Sequence, residues 1–378
     1  MKRRRKLRNV GITSGTMTVF LAGDVMTGRG LDQILPSPSG PQLHEHYMRD
    51  ARGYVTLAEK TNGPIPKPVE VDWPWGDALS ILDEADPDAR LINVETSVTR
   101  SDDYAPAKGI HYRMHPGNAG VLAAARIDVC AMANNHVLDF GVRGLEETLD
   151  TLAGAGLSAA GAGRNTEQAW RPAVVDAGAG RILMLSVALT SSGVSAADAA
   201  GPSRPGLALL PDLSDASAAM VIEAVQRRRR AGDLAVLSVH WGSNWGYDIP
   251  DEQVRFAHRL VDAGIDIVHG HSSHHPRPIE IYRGKPILYG CVDLINDYEG
   301  IGGNEQFRDD LRLLYLVAVD AGTRELRELR MVPVQVRQMR LHRAAASDVE
   351  WLRERLNGIS APFGSHFAAN DDGELVAG

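Results

Sequence analysis

A chain of 378 residues is long enough for one large α/β domain or two ordinary ones, and either buries a full core. Its 44% hydrophobic and 23% charged residues exclude a disordered chain, and a formal net charge of −8 excludes a general nucleic-acid binder, which needs a broad basic face. Two cysteines, Cys130 and Cys291, are too few for a disulfide framework, so a reducing, cytoplasmic compartment is expected, and no apolar run approaches the roughly 20 residues of a membrane-spanning helix.

The chain opens on Lys2, Arg3, Arg4, Arg5, Lys6 and Arg8. The apolar stretch behind them, residues 17–22, is shorter than the roughly 7–15 residues of a signal core. Residues 1–15 are therefore expected to form a disordered basic tail and not an export signal. A short β-rich strand follows over 18–22 and ends at Gly23-Asp24. Residues 31–72 are polar and proline-punctuated and predict a long connection. A helix is predicted over 73–85, a buried strand over 89–94, a helix over 118–126 and a strand over 127–132. Leu145, Leu149 and Leu152 set a helix over 144–153. Residues 173–175 and 181–189 predict a hairpin around Gly178-Ala179-Gly180, and 197–215 a surface loop. Helix 216–230, strand 234–239, helix 253–263 and strand 265–268 come next. A hairpin over 278–282 and 286–288 and late strands over 311–319 and 330–336 complete the pattern.

Residues 125–136, 231–240 and 263–271 share one layout: a helix end, a short cap ending in Asp, an apolar strand, then His. Repeated helix–strand units imply a mainly parallel, helix-covered sheet, to which the late hairpins add antiparallel strands. One α/β domain over 16–340 is expected, with 341–378 an extension packed on it and then disordered. In such sheets ligands collect beyond the carboxyl ends of strands, where the polar clusters of this chain fall.

Asp24, flanked by Gly23 and Gly28, suits a divalent metal or caps the following helix. Arg29 can take an anionic substrate group bidentately or a surface salt bridge. Asn93 and Glu95 lie two apart and so point to one side of a strand, where the carboxylate can bridge two metals and the amide can hold a nucleophile or substrate. Asn134-Asn135-His136 offers amide and imidazole ligands, or a histidine that donates a proton, with Asp139 to orient the ring. His240 ends its strand before Trp241-Gly242, either as a ligand or as a core histidine. His271 and His274 sit in the turn after the next strand, where two imidazoles can converge on one ion. Mixed N/O donors without cysteine favour Mn, Fe or Zn, and two close ions would activate a water and stabilise a leaving oxygen. No phosphate-binding loop, nucleophile elbow or dinucleotide fingerprint is present.

Gly23-Asp24-Val25-Met26 with Gly28-Arg29, Asn93-x-Glu95, Ala133-Asn134-Asn135-His136-x-x-Asp139-x-Gly141, His240-Trp241-Gly242, and Gly270-His271-x-x-His274 with Pro278-Ile279-Glu280 resemble the capsule-synthesis family called CapA. That family is associated with poly-γ-glutamate synthesis and is similar to the calcineurin-like metallophosphoesterases. The motifs run in unbroken order from about residue 19 to 296. The resemblance implies a metallophosphatase-like layered α/β sandwich with mixed sheets. It implies Asp24 on one metal, Glu95 in the bridging carboxylate's place, Asn135, His240 and His271 or His274 completing the shell, and His136 as proton donor. Two divalent ions and a metal-dependent hydrolase of a phosphoester or γ-glutamyl amide follow from it. The alternative is a non-catalytic accessory protein that holds the anionic γ-glutamyl polymer. The chain departs from the pattern in three places. Val25-Met26 replaces the Asp-x-His of ordinary phosphoesterases, so one ligand is missing or replaced. Val292-Asp293-Leu294 stands where relatives show Gly-Asn-Phe or Gly-Asp-Phe. The N-terminal membrane anchor of many relatives is expected to have no counterpart here.

Overall fold

The computed structural model describes residues 15–106 and 108–378; the tail expected over residues 1–15 lies outside them apart from Gly15. The framework strands are β1 (Thr16–Val25), β2 (Ala89–Val94), β3 (Val129–Ala131), β4 (Gly180–Leu189), β5 (Leu234–His240), β6 (Ile267–His271), β7 (Leu311–Asp320) and β8 (Leu326–Arg337). They form two mixed sheets. In the first, β3, β2 and β1 run parallel, and β1 then pairs antiparallel with β7 and β7 with β8. In the second, β4, β5 and β6 are parallel, and the hairpin of Ile279–Tyr282 and Lys285–Leu288 follows β6.

Period-two alternation decides which side chains face which layer. Along β1, Met17, Val19 and Leu21 pack between the sheets, while Phe20 and Ala22 face outward beneath helices. On β5, Leu234 and Val236 point between the sheets, and Ala235, Leu237 and Val239 point out to the helices Asp215–Gln226 and Asp251–Asp262. Both faces of these strands are apolar because both are covered. The result is the expected layered α/β sandwich, with helices outside two facing sheets.

Several elements depart from expectation. The connection over 31–72 contains the helix Arg52–Asn62, whose Tyr54, Val55 and Ala58 bury against the outer face of the first sheet. Packing on that sheet stabilises a helix that a polar, proline-flanked window conceals. The helix expected over 73–85 is a single turn, Trp73–Trp75, and a helix, Ala78–Ala85, separated at Gly76 (φ 46°). The C-terminal segment does not trail away: Ala346–Ser360 is helical, and Phe367–Ala369 and Leu375–Ala377 add strands to the edge of the first sheet beyond β8. Phe367 and Leu375 are fully buried there, which holds the hairpin down. Among the described residues no helix is long and apolar enough to cross a membrane.

Candidate metal centre

The site lies at the carboxyl ends of β1, β2, β5 and β6, between the two sheets. On β5 and β6 the register pairs Ser238 with His269 and His240 with His271. All four share the inward face set by Val236 and Ile267, so the histidines are carried toward the first sheet. His269, one step deeper, bonds the Ala22 carbonyl through Nε2 (2.9 Å) and Ser238 Oγ through Nδ1 (3.2 Å), and is a tie between the sheets.

Asp24 reaches this space through a local irregularity. The register of β1 on β2 slips between Ala22 and Asp24, setting Asp24 beside Asn93 on the inner face. Without the slip, alternation after Leu21 would turn residue 24 outward. Gly23 permits it, since a Cβ there would lie 2.2 Å from the Cys291 carbonyl oxygen and 2.3 Å from that of Val292. The segment over 291–297 is thereby drawn against β1. Leu294 N donates to Asp24 O (2.8 Å), Met26 N to Ile295 O (2.7 Å) and Cys291 N to Gly270 O (2.7 Å).

Two groups of ligand atoms result, each within 4.8 Å: Asp24, His240 and His271, and Asp24, His274 and Asp293. All five side chains are buried. His240 Nδ1 and His271 Nδ1 are 2.9 Å apart, a spacing at which two ring nitrogens share a proton or a cation. The far nitrogen of His271 bonds Ser238 Oγ (2.8 Å) and that of His240 bonds Asn135 Oδ1 (3.0 Å), fixing both rings from behind. His274 is held by Asp293 Oδ1 (3.0 Å) and Asn244 Nδ2 (2.9 Å). Glu95 belongs to neither group. Its Oε1 lies 3.7 Å from His136 Nε2 and 4.0 Å from His240 Nε2, so it adjoins the histidines while Asp24 occupies the shared position.

The electrostatics ask for a cation. Burial, then the charge of Asp293, raises the Asp24 carboxyl, and burial, then Asp24, pushes Glu95 well above the usual carboxylate range. Burial likewise drives His240 and His271 well below the ordinary imidazole value. Burial also opposes the charge of His274, but Asp293 outweighs it and the ring ends raised. No lysine or arginine among the described residues ion-pairs with Asp24, Glu95 or Asp293, and Asp24 Oδ2 is buried without a hydrogen-bond partner. Uncompensated buried carboxylates cost several kcal/mol each, on the order of the penalty for a desolvated ion. A divalent ion on nitrogen and oxygen donors fits this set.

Beside it, His136 Nδ1 meets Asp139 Oδ2 at 2.7 Å, and Asp139 also accepts the Tyr112 N–H (2.7 Å) and an ion pair from Lys108. Burial lowers His136 to about 4 against the pull of Asp139. Burial raises Asp139, but His136 and Lys108 outweigh it and leave the carboxyl below its ordinary value. A neutral ring with its proton toward Asp139 turns the Nε2 lone pair to the centre. Asp139 is thus in contact with the His136 ring at Nδ1. Lys108, from a loop that offered no motif, also donates to the Asn135 carbonyl.

Two residues expected to meet substrate are turned to protein partners. Asn93 donates to Asp24 Oδ1 (2.7 Å) and Glu95 Oε2 (3.2 Å) and accepts from Asn134, so its amide is spent orienting carboxylates. Arg29 pairs with Asp297 and with Glu45 (3.0 Å), bonds the Tyr54 hydroxyl (3.1 Å), and lies over the rings of Tyr54 and Tyr112. Already neutralised and buried, it is not presented to an incoming anion. Asn134 caps its own turn by accepting the His136 N–H. His275 packs among Trp245, Tyr247 and Phe307, away from the ligand groups.

The model of the family described as bacterial capsule synthesis protein PGA_cap matches residues 18–298. A probable polyglutamine synthesis accessory protein of Mycobacterium tuberculosis is 54% identical over 361 residues, 95% of each chain. A PGA biosynthesis protein CapA of Bacillus subtilis is 30% identical over 207 residues, 54% of this chain and 52% of its own. A capsule biosynthesis protein CapA of Bacillus anthracis is 22% identical over 281 residues, 74% of this chain and 60% of its own. The match spans every strand end that supplies the site, from Asp24 to Asp297, and this chain belongs to the PGA_cap family of bacterial capsule synthesis proteins, the CapA family that its motifs resemble.

Proposed function

We propose that this protein is a metal-dependent hydrolase of the metallophosphatase type, acting on a phosphoester or γ-glutamyl amide in poly-γ-glutamate production. The observation that carries the reading is the meeting of Asp24, Glu95 and Asp293 with His240, His271 and His274 in one buried space, with no lysine or arginine among the described residues ion-paired to the carboxylates. Asp24, His240 and His271 would hold an Mn, Fe or Zn ion, with Glu95, Asn135 and His274 beside them. Such ions supply Lewis-acid charge and an activated water. Asn93 aims both carboxylates, and Ser238 and Asn135 lock the rings. His136 exchanges a proton with the reacting oxygen at Nε2 while Asp139 keeps the Nδ1 proton in place. Cys130 and Cys291 are both free and buried, in keeping with a cytoplasmic location.

A second reading draws on the name of the mycobacterial relative: an accessory protein that uses the same cleft to hold an anionic γ-glutamyl chain without cleaving it. Glu95→Ala separates the two. Protein purified without chelator should carry bound Mn, Fe or Zn by plasma mass spectrometry and lose it to EDTA. It should hydrolyse at least one phosphoester or γ-glutamyl amide in a screen, and Glu95→Ala should abolish that turnover. Polymer binding that survives Glu95→Ala, with no turnover in either protein, would favour the accessory reading. Absence of metal even after reconstitution would sink the hydrolase.

A further inference from the structure

The position two residues after Asp24, a histidine in ordinary phosphoesterases, is Met26 here, and Met26 is wholly buried. The 291–297 segment brings a different side chain to the same neighbourhood. Its backbone is stitched to β1 at Asp24 and Met26 and to β6 at Gly270, and Val25 bridges Ile295. Asp297 closes the far end by holding Arg29 and the Gly30 N–H (2.9 Å). Within this frame Asp293 is buried, with Oδ2 accepting from Asn296 Nδ2 (2.7 Å) and Oδ1 facing His274 Nδ1 (3.0 Å). The group Asp24, His274 and Asp293 lies within 4.8 Å, and Asp24 is common to it and to the group with His240 and His271. Asn93 satisfies Asp24 Oδ1, but Oδ2 is buried without a donor, an independent sign that one oxygen of the carboxylate between the two groups is open to a cation.

We propose that Asp293 is a ligand of the second of the two ions that the resemblance implies, beside His274 and Asp24, in place of the histidine that this chain lacks at Met26. Asp24 is then the carboxylate shared by the two ions. The replacement arrives from about 270 residues downstream. A carboxylate in place of an imidazole makes this position richer in oxygen than its neighbour, which favours Mn²⁺ or Fe²⁺ over Zn²⁺. The inference rests on the metal centre proposed above and adds a residue to it.

The test is titration of chelator-stripped protein with MnCl₂, followed by calorimetry and by electron paramagnetic resonance. Wild type should take up about two equivalents and show a spin-coupled signal, as expected for paired ions about 3.5–4 Å apart. Asp293→Ala should take up about half as much and give an isolated Mn²⁺ signal. Asp293→Asn, which keeps the shape, should bind the second ion more weakly, and it carries the test if the alanine variant melts early when stripped. Full uptake with a coupled signal in both variants, or a single equivalent in wild type, would overturn the second position alone. No uptake by wild type would overturn the centre as a whole.

Discussion

Two buried charged clusters lie side by side in this protein and settle their charges in opposite ways. Around Arg29, a guanidinium with 1% side-chain exposure meets Asp297 and Glu45, stacks on Tyr54 and Tyr112, and leaves no unpaired carboxylate. Around Asp24, three buried carboxylates accept from the amides of Asn93 and Asn296, and their ion-pair partners among the described residues are imidazoles alone. The first cluster carries its own cation and clamps the loop after β1 to the 291–297 segment. The second has the same low-dielectric surroundings and, among the described residues, no lysine or arginine paired to it. Burial of charge alone therefore does not mark a functional site; the sign of what is missing does.

The largest expected effect breaks the self-contained cluster. Arg29→Ala leaves Asp297 and Glu45 buried and unpaired and should lower stability by about 3–5 kcal/mol in chelator-stripped protein. Denaturant unfolding measures it, and a loss below about 1 kcal/mol would mean the pair is hydrated or replaceable. A middle effect belongs to the imidazole frame. Ser238→Ala removes the partner of His271 Nε2 and should weaken metal affinity about 10–100-fold with little change in stability of the stripped protein. An unchanged affinity would show that strand packing alone sets the ring. The smallest loss sharpens the contrast: Asp24→Asn should leave stripped protein at least as stable as wild type, since it removes charge from a crowded carboxylate group, while abolishing metal uptake. A loss as large as that of Arg29→Ala would erase the distinction between the clusters.

Much of the site is legible in the chain because strand ends are legible. Apolar runs that stop on Asp24, on Asn93 and Glu95, on His136 and on His240 announce themselves locally, and the Asn93/Glu95 spacing put both on one side, as the structure has them. The family motifs tied these ends together before any fold was known. Three things stayed hidden, and each for a physical reason. Arg29 looked like an anion binder because its counter-ions, Glu45 and Asp297, come from separate loops whose approach no spacing encodes. Asp293 was visible beside the Val292 departure from the family turn, but its distance to His274 depends on how the segment after the second-sheet hairpin packs against β1. Lys108 sits in an irregular loop without periodicity and acquires its role through contact with Asp139.

The sequence by itself determined the alternation of strands and helices, the order of ligand-bearing strand ends and the family, because these depend on residue type and near-neighbour spacing. The tertiary structure alone decided which face each polar group takes. A one-step slip in register at Gly23 turns Asp24 inward, and the close approach of Cys291 and Val292 that only a glycine allows brings Asp293 beside it. Side-chain direction reverses with each residue along a strand, so a single slip redirects a ligand, and that slip is set by contacts between segments about 270 residues apart.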